Sequence, residues 1–208
     1  MLFKQQGLLK EGDFLKDQSV SKKRQQLIDT ALTLFYQSGI HSVGINEILA
    51  VSGIAKRTLY IHFESKEALI FAALQQRHEV FVTWLEQKLA KTTSDKQVIQ
   101  TLFSALESWF CNKEPELGDF RGCFFINTSA EFSDINSDIF TFCHHHKQQV
   151  RQVIANHLTS KNSELIDAIC IMKEGAIVTA HLGGNGKKVT ANCIKILEKL
   201  EEKNISHP

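Results

Sequence analysis

Proline and glycine are scarce. Two prolines, Pro115 and Pro208, and 11 glycines occur in 208 residues. So few helix breakers exclude a many-turned β fold and favour long helices. An excess of one charge is missing as well. Lys and Arg number 24 against 23 Asp and Glu, a net charge of +1, which excludes a protein that coats nucleic acid through diffuse positive charge. No apolar run approaches the ~18 residues of a membrane span. The opening Met-Leu-Phe-Lys-Gln-Gln-Gly has no apolar signal core, so a cytoplasmic protein with no membrane partner is expected. The five cysteines (111, 123, 143, 170 and 193) form no Cys-x-x-Cys pair. That argues against a zinc ribbon or disulfide framework and for reduced thiols. A Gly-rich phosphate loop, a nucleophile elbow and a metal-ligand spacing are all lacking, so no enzyme activity, cofactor or metal is expected. His144-His145-His146 does not change this, because neighbours on a helix point about 100° apart and three in a row do not easily share one ion.

What remains is an ordinary globular composition, 43% hydrophobic and 23% charged. Residues 1–20 are mixed in charge and without period, and read as a flexible N-terminal extension. From Ser21 a helical pattern sets in. Leu27, Ile28, Ala31, Leu32, Leu34 and Phe35 share one face, with Ser21 as cap and Gly39 as terminator. Short helices follow at about Ile45–Val51 and Ala55–His62, separated by Ser52-Gly53-Ile54. Two short helices around a Gly-containing turn form a helix-turn-helix, which the first helix covers. Further helices are expected near 66–91, 95–112, 122–132, 138–159, 164–182 and 187–203. Ser94 with Gln97 reads as a capping box. The fold class is therefore all-α, an N-terminal three-helix bundle (residues 21–66) followed by a larger helical domain (67–208).

The chemistry-bearing stretch is Gly53-Ile54, Thr58-Leu59-Tyr60, His62-Phe63 and Ser65-Lys66-Glu67-x-Leu69. Over Lys22 to Leu69 it resembles the DNA-binding domain of the TetR family of bacterial transcriptional regulators. Arg121-Gly122-Cys123-Phe124-Phe125-Ile126-Asn127 is similar to a segment many of them carry. Two positions depart from the family pattern: Leu49, where a small residue is usual, and Gly44, which gives up a side-chain cap. A recognition helix of about eight residues suits the major groove and presents its N-terminal side chains to base edges. Lys56 and Arg57 stand there, and Arg can bind guanine through two hydrogen bonds. Thr58 reaches a base methyl or a phosphate. The resemblance implies phosphate contacts for Tyr60 and His62, and a wider interface that includes Gly44, Asn46 and Ala55. Lys66 opens a helix whose amides can hold a phosphate. Lys22, Lys23 and Arg24 would grip the backbone. Within residues 21–66 six basic side chains oppose three acidic ones, so the near-neutral total averages a basic reader and a neutral-to-acidic remainder.

The resemblance also implies a homodimer on a palindromic double-stranded DNA operator, joined through the two C-terminal helices. Ile166, Ile169, Ile171, Ala176, Ile177, Ala180, Ile194, Leu197 and Leu200 supply apolar surface there. It further implies a repressor released by a small-molecule effector. Eight of the 14 phenylalanines lie between 103 and 142, which favours an apolar or aromatic ligand. The expected lining is Phe81, Trp84, Phe103, Trp109, Phe124 and Phe140, with Glu107, Asn127, Glu131 and His144 as polar partners. Cys123 is a rival trigger. It sits at a helix start beside Arg121, where amide dipoles favour a thiolate, and would sense electrophiles or oxidants.

Overall fold

The computed structural model of the protein describes residues 11–160 and 162–205. These residues are all-α. The helices are α1 (Glu11–Ser38), α2 (Ile45–Ser52), α3 (Lys56–His62), α4 (Lys66–Leu89), α5 (Asp95–Phe110), α6 (Phe124–Glu131), α7 (Asp138–His157), α8 (Ser163–His181) and α9 (Gly186–Ile205), with a 3-10 turn at Pro115–Leu117. The chain divides into two compact units, Met1–Ala73 and Leu74–Pro208. Residues 1–10 of the expected extension lie outside the described residues.

In the first unit α1 begins at Glu11, ten residues before the Ser21 cap that the sequence suggests. No proline interrupts residues 11–38, and once a helix is nucleated each further residue adds one hydrogen bond at little cost. Leu27, Ile28, Ala31 and Phe35 form its buried face, joined by Ile48 from α2 and Leu59 from α3. The unit extends past Lys66 to Ala73 because the start of α4 belongs to its core: Leu69 and Ile70 are buried. Lys66 seals that join by donating from Nζ to the Ile40 carbonyl at 2.8 Å.

The second unit is organised around α5. Val98, Ile99, Leu102, Phe103, Leu106 and Trp109 are all buried on one face, while Lys96, Gln97, Gln100 and Ser104 on the opposite face are exposed, so α5 is a strongly amphipathic helix. It packs against α9, α8 and α7. Ser94 accepts from the Gln97 amide, and the Gln97 side chain accepts from the amide of Thr93, one residue before the cap. Asp95, itself buried, accepts from the Thr159 amide (2.6 Å) and hydroxyl (2.7 Å) and from the Ser160 amide, tying the α7–α8 connection to the start of α5. Burial opposes its charge, yet these hydrogen bonds hold its carboxyl below the usual range.

Candidate functional site

The turn between α2 and α3 is fixed by backbone chemistry. Gly53 closes α2 in the left-handed region (φ 65°), and its N–H caps the Leu49 carbonyl at 3.0 Å. Ser52 is buried, and its hydroxyl accepts from the Ile54 amide at 3.3 Å. The Ser52 carbonyl accepts from Gln26 of α1 at 2.8 Å. Ile54 and Leu59 turn inward, 8% and 0% exposed. Leu59 is thereby the anchor that sets which face of α3 looks outward.

That outward face carries Lys56, Arg57 and Tyr60, all exposed, with Ala55 as exposed N-cap and Thr58 and His62 half-buried. Ile61 is 68% exposed between Tyr60 and His62, a surface position absent from the expected set. Lys22, Lys23 and Arg24 are exposed on α1, and the Arg24 guanidinium lies 5.2 Å from the Phe63 ring centroid. Gly44 is the N-cap of α2 with no side-chain cap, and Asn46 is exposed on its first turn. Lys66 differs from its basic neighbours. Besides the Ile40 carbonyl, its ammonium lies 5.9 Å from the Phe35 centroid, so part of its bonding capacity is spent inside the unit.

In the second unit Phe81, Trp109 and Phe124 line one inner cavity with Arg77, Phe125, His146, Lys147 and Lys173. The aromatic groups close-pack, and the cavity is only about 10 Å³, room for about one water. The His146 ring lies flat on Phe125 at 3.5 Å and 11°. Its Nδ1 is 3.0 Å from Nδ1 of His78. Burial, reinforced by Lys147, His78, Lys173 and Arg77, pushes the His146 pKa far down. Trp84, Phe103, Glu107, Asn127, Glu131 and Phe140 do not line this cavity. The Trp84 indole donates to Glu114 at 2.8 Å, Glu107 accepts from Thr190 at 3.0 Å, and Asn127 donates to the Arg121 carbonyl at 3.1 Å.

A second, open groove of about 350 Å³ lies along α7 and α8, lined by His144, Lys147, Arg151, Ile171, Lys173 and Glu174 among others. Lys147 and Lys173 face both spaces. Glu174 bonds both ammonium groups, that of Lys147 at 2.7 Å. Lys147 also donates to Cys123 Sγ at 3.2 Å. Burial opposes the Glu174 charge, but Lys173 and Lys147 hold its carboxyl below the usual range. Burial likewise works against Lys147, and Cys123 and Glu174 outweigh it, so its pKa lies above the usual lysine value. Of the three consecutive histidines only His146 turns inward; His144 and His145 are exposed.

A short exposed helix with basic residues leading it, seated by a buried Leu59 and a Gly53 turn, has the geometry of the second helix of a helix-turn-helix. Residues 27–73 match the model of the bacterial regulatory proteins of the tetR family. Over those residues the chain carries a TetR-family DNA-binding domain. Among curated proteins it is 35% identical over 89 residues to the HTH-type transcriptional activator FasR of Mycolicibacterium smegmatis, covering 43% of this chain and 39% of that protein. It is 28% identical over 117 residues to the HTH-type transcriptional repressor ComR of Escherichia coli, 56% of this chain and 54% of that one. The chain thus spans about half the length, or less, of these relatives. A TetR-family regulator from Streptomyces coelicolor shares the fold over 88% of this chain and 96% of its own, with TM-score 0.77 and 24% identity. One from Chloroflexus aurantiacus does so over 86% and 94%, with TM-score 0.73 and 23% identity. Among the described residues no helix is long and apolar enough to cross a membrane.

Proposed function

We propose that this chain is a repressor that binds a palindromic operator as a homodimer and releases it when a small effector enters the second unit. The observation that carries the DNA reading is the outward presentation of Lys56 and Arg57 on α3 above the buried Leu59. Arg57 is suited to a guanine edge, and Lys22, Lys23 and Arg24 to phosphates. One such helix reads too few base pairs for useful specificity, and a twofold-related pair doubles the site. The pairing surface is Val178 and Leu182, one turn apart on α8 and 45% and 79% exposed, with Ile196 at 56% on the adjoining α9. Val178 and Leu182 share one helical face and have no cover among the described residues. An activator and a repressor stand among the relatives, so the sign of regulation is part of the proposal.

Selection of bound duplexes from a random pool, followed by footprinting, tests the reading. A single motif with two inverted half-sites is expected. Uniform, salt-sensitive binding to every duplex overturns it in favour of a nucleoid-type protein.

A second reading is favoured by one contact, the Lys147 ammonium at Cys123 Sγ. That contact sets a cation against a sulfur that is 8% exposed, and on this reading Cys123 would trigger release on reaction with an electrophile or peroxide. Operator release by peroxide or N-ethylmaleimide that persists in Cys123→Ser sinks this reading.

A further inference from the structure

The groove along α7 and α8 joins apolar surface to an unusual charge arrangement. Lys173 is buried, 3% exposed, and the single carboxylate bonded to it also serves Lys147. Two ammonium groups thus share one negative charge at the floor of a groove of about 350 Å³, within the size range of small-molecule sites. A buried net positive charge is costly and favours any anion that neutralises it. Arg151 adds to the positive side of the wall, although it is bonded to Asp167 at 2.7 Å. Ile126 and Ile171, 41% and 71% exposed, supply an apolar bed. On the inner side of the same lysines the Trp109 indole N–H is buried and has no acceptor among the described residues.

We propose that this groove binds a small monocarboxylate with an apolar body, whose carboxylate takes a place between Lys147 and Lys173 in competition with Glu174. The hydrocarbon part lies over Ile126 and Ile171. Glu174 acts as an internal stand-in that keeps the lysines charged and in position until the acid arrives. This inference rests on the effector reading above and narrows it from apolar compounds in general to organic acids.

The test is calorimetric titration of the full chain with benzoate, phenylacetate, hexanoate and octanoate, each beside its primary amide. At least one acid is expected to bind saturably, with its amide about tenfold weaker or worse. Lys147→Met should weaken that acid about tenfold, and Glu174→Gln, which removes the competing charge, should tighten it. Thermal melts establish that each variant is folded, and if Lys147→Met is not, Glu174→Gln decides alone. Absence of binding by all four acids overturns the proposal. Amides that bind as tightly as their acids overturn the carboxylate assignment and leave an apolar effector standing. Acids that bind without changing operator affinity keep the assignment and overturn the effector reading instead.

Discussion

The imidazole of His146 lies flat against the Phe125 ring, centroids 3.5 Å apart and planes 11° from parallel, and its Nδ1 is 3.0 Å from Nδ1 of His78. Both histidines sit below the usual value of 6.5, His146 first through burial and then through its cationic neighbours, His78 through burial and then His145. The folded state therefore keeps His146 neutral while the unfolded chain takes up a proton as pH falls through about 6.5. Its contribution to stability is complete above that pH and is lost below it, approaching about 1.4 kcal/mol per pH unit. Urea melts between about pH 7 and pH 5 should show stability falling with acid, and His146→Phe should flatten much of that slope, His78 supplying the rest. An unchanged slope in His146→Phe counts against a buried neutral imidazole.

On the proposed DNA-facing side, Arg57→Ala and Lys22→Ala should fail in different ways. Arg57 is exposed on α3 and Lys22 is exposed on α1. Loss of a base reader costs about 1–3 kcal/mol and relaxes preference at one operator position, whereas loss of a phosphate contact weakens all sequences alike and reduces the salt slope by about one. Affinity measured on operator and scrambled duplex over a salt series separates the two. If Arg57→Ala weakens both duplexes equally, its role is backbone contact.

Leu59 and Ile61 are two residues apart on the same short helix, yet one is 0% and the other 68% exposed. Leu59→Ala should destabilise the first unit by about 2–5 kcal/mol, the range for a fully buried leucine. Ile61→Ala should stay within about 0.5 kcal/mol of the parent. Thermal and urea melts measure both, and any loss of DNA binding in a folded Ile61→Ala protein then assigns that exposed isoleucine to the interface rather than to the fold.

The helix-turn-helix was legible because its residue types are dictated locally. Gly53 must supply a positive φ, and Ile54 and Leu59 must turn inward at a spacing set by one short helix. The lysine pair was not legible in this way. Lys147 and Glu174 come from α7 and α8 and meet across 27 residues of sequence, which no local period encodes. One signal did exist. Lys173 falls on the stripe Ile166, Ile169, Ala176 and Ile177, the buried face of α8, and a lysine on such a face asks for a partner. The aromatic count between 103 and 142 indicated a cluster, but composition does not register the gaps between rings. Phe103 is fully buried away from the inner cavity, and the rings that do surround it leave almost no space. Likewise Lys66 reads as one more basic residue of the motif, whereas its hydrogen bond to Ile40 depends on where α4 meets the loop after α1.

Val178 and Leu182 lie on the exposed stripe of α8 and line neither the groove nor the inner cavity. The double substitution Val178→Glu and Leu182→Glu should therefore leave the fold and any acid binding intact while placing charges in the proposed dimer surface. Each apolar side chain buried between protomers contributes about 1.5–3 kcal/mol, and a carboxylate there without a partner adds a desolvation cost. Dimerisation should weaken by about a hundredfold or more. Sedimentation velocity should then show a concentration-dependent shift from dimer to monomer, with a matching loss of affinity for the full operator and little change for an isolated half-site. A variant that remains dimeric at all concentrations places the interface on another surface, and half-site affinity falling in step with full-site affinity shows damage to the reader rather than to the pairing.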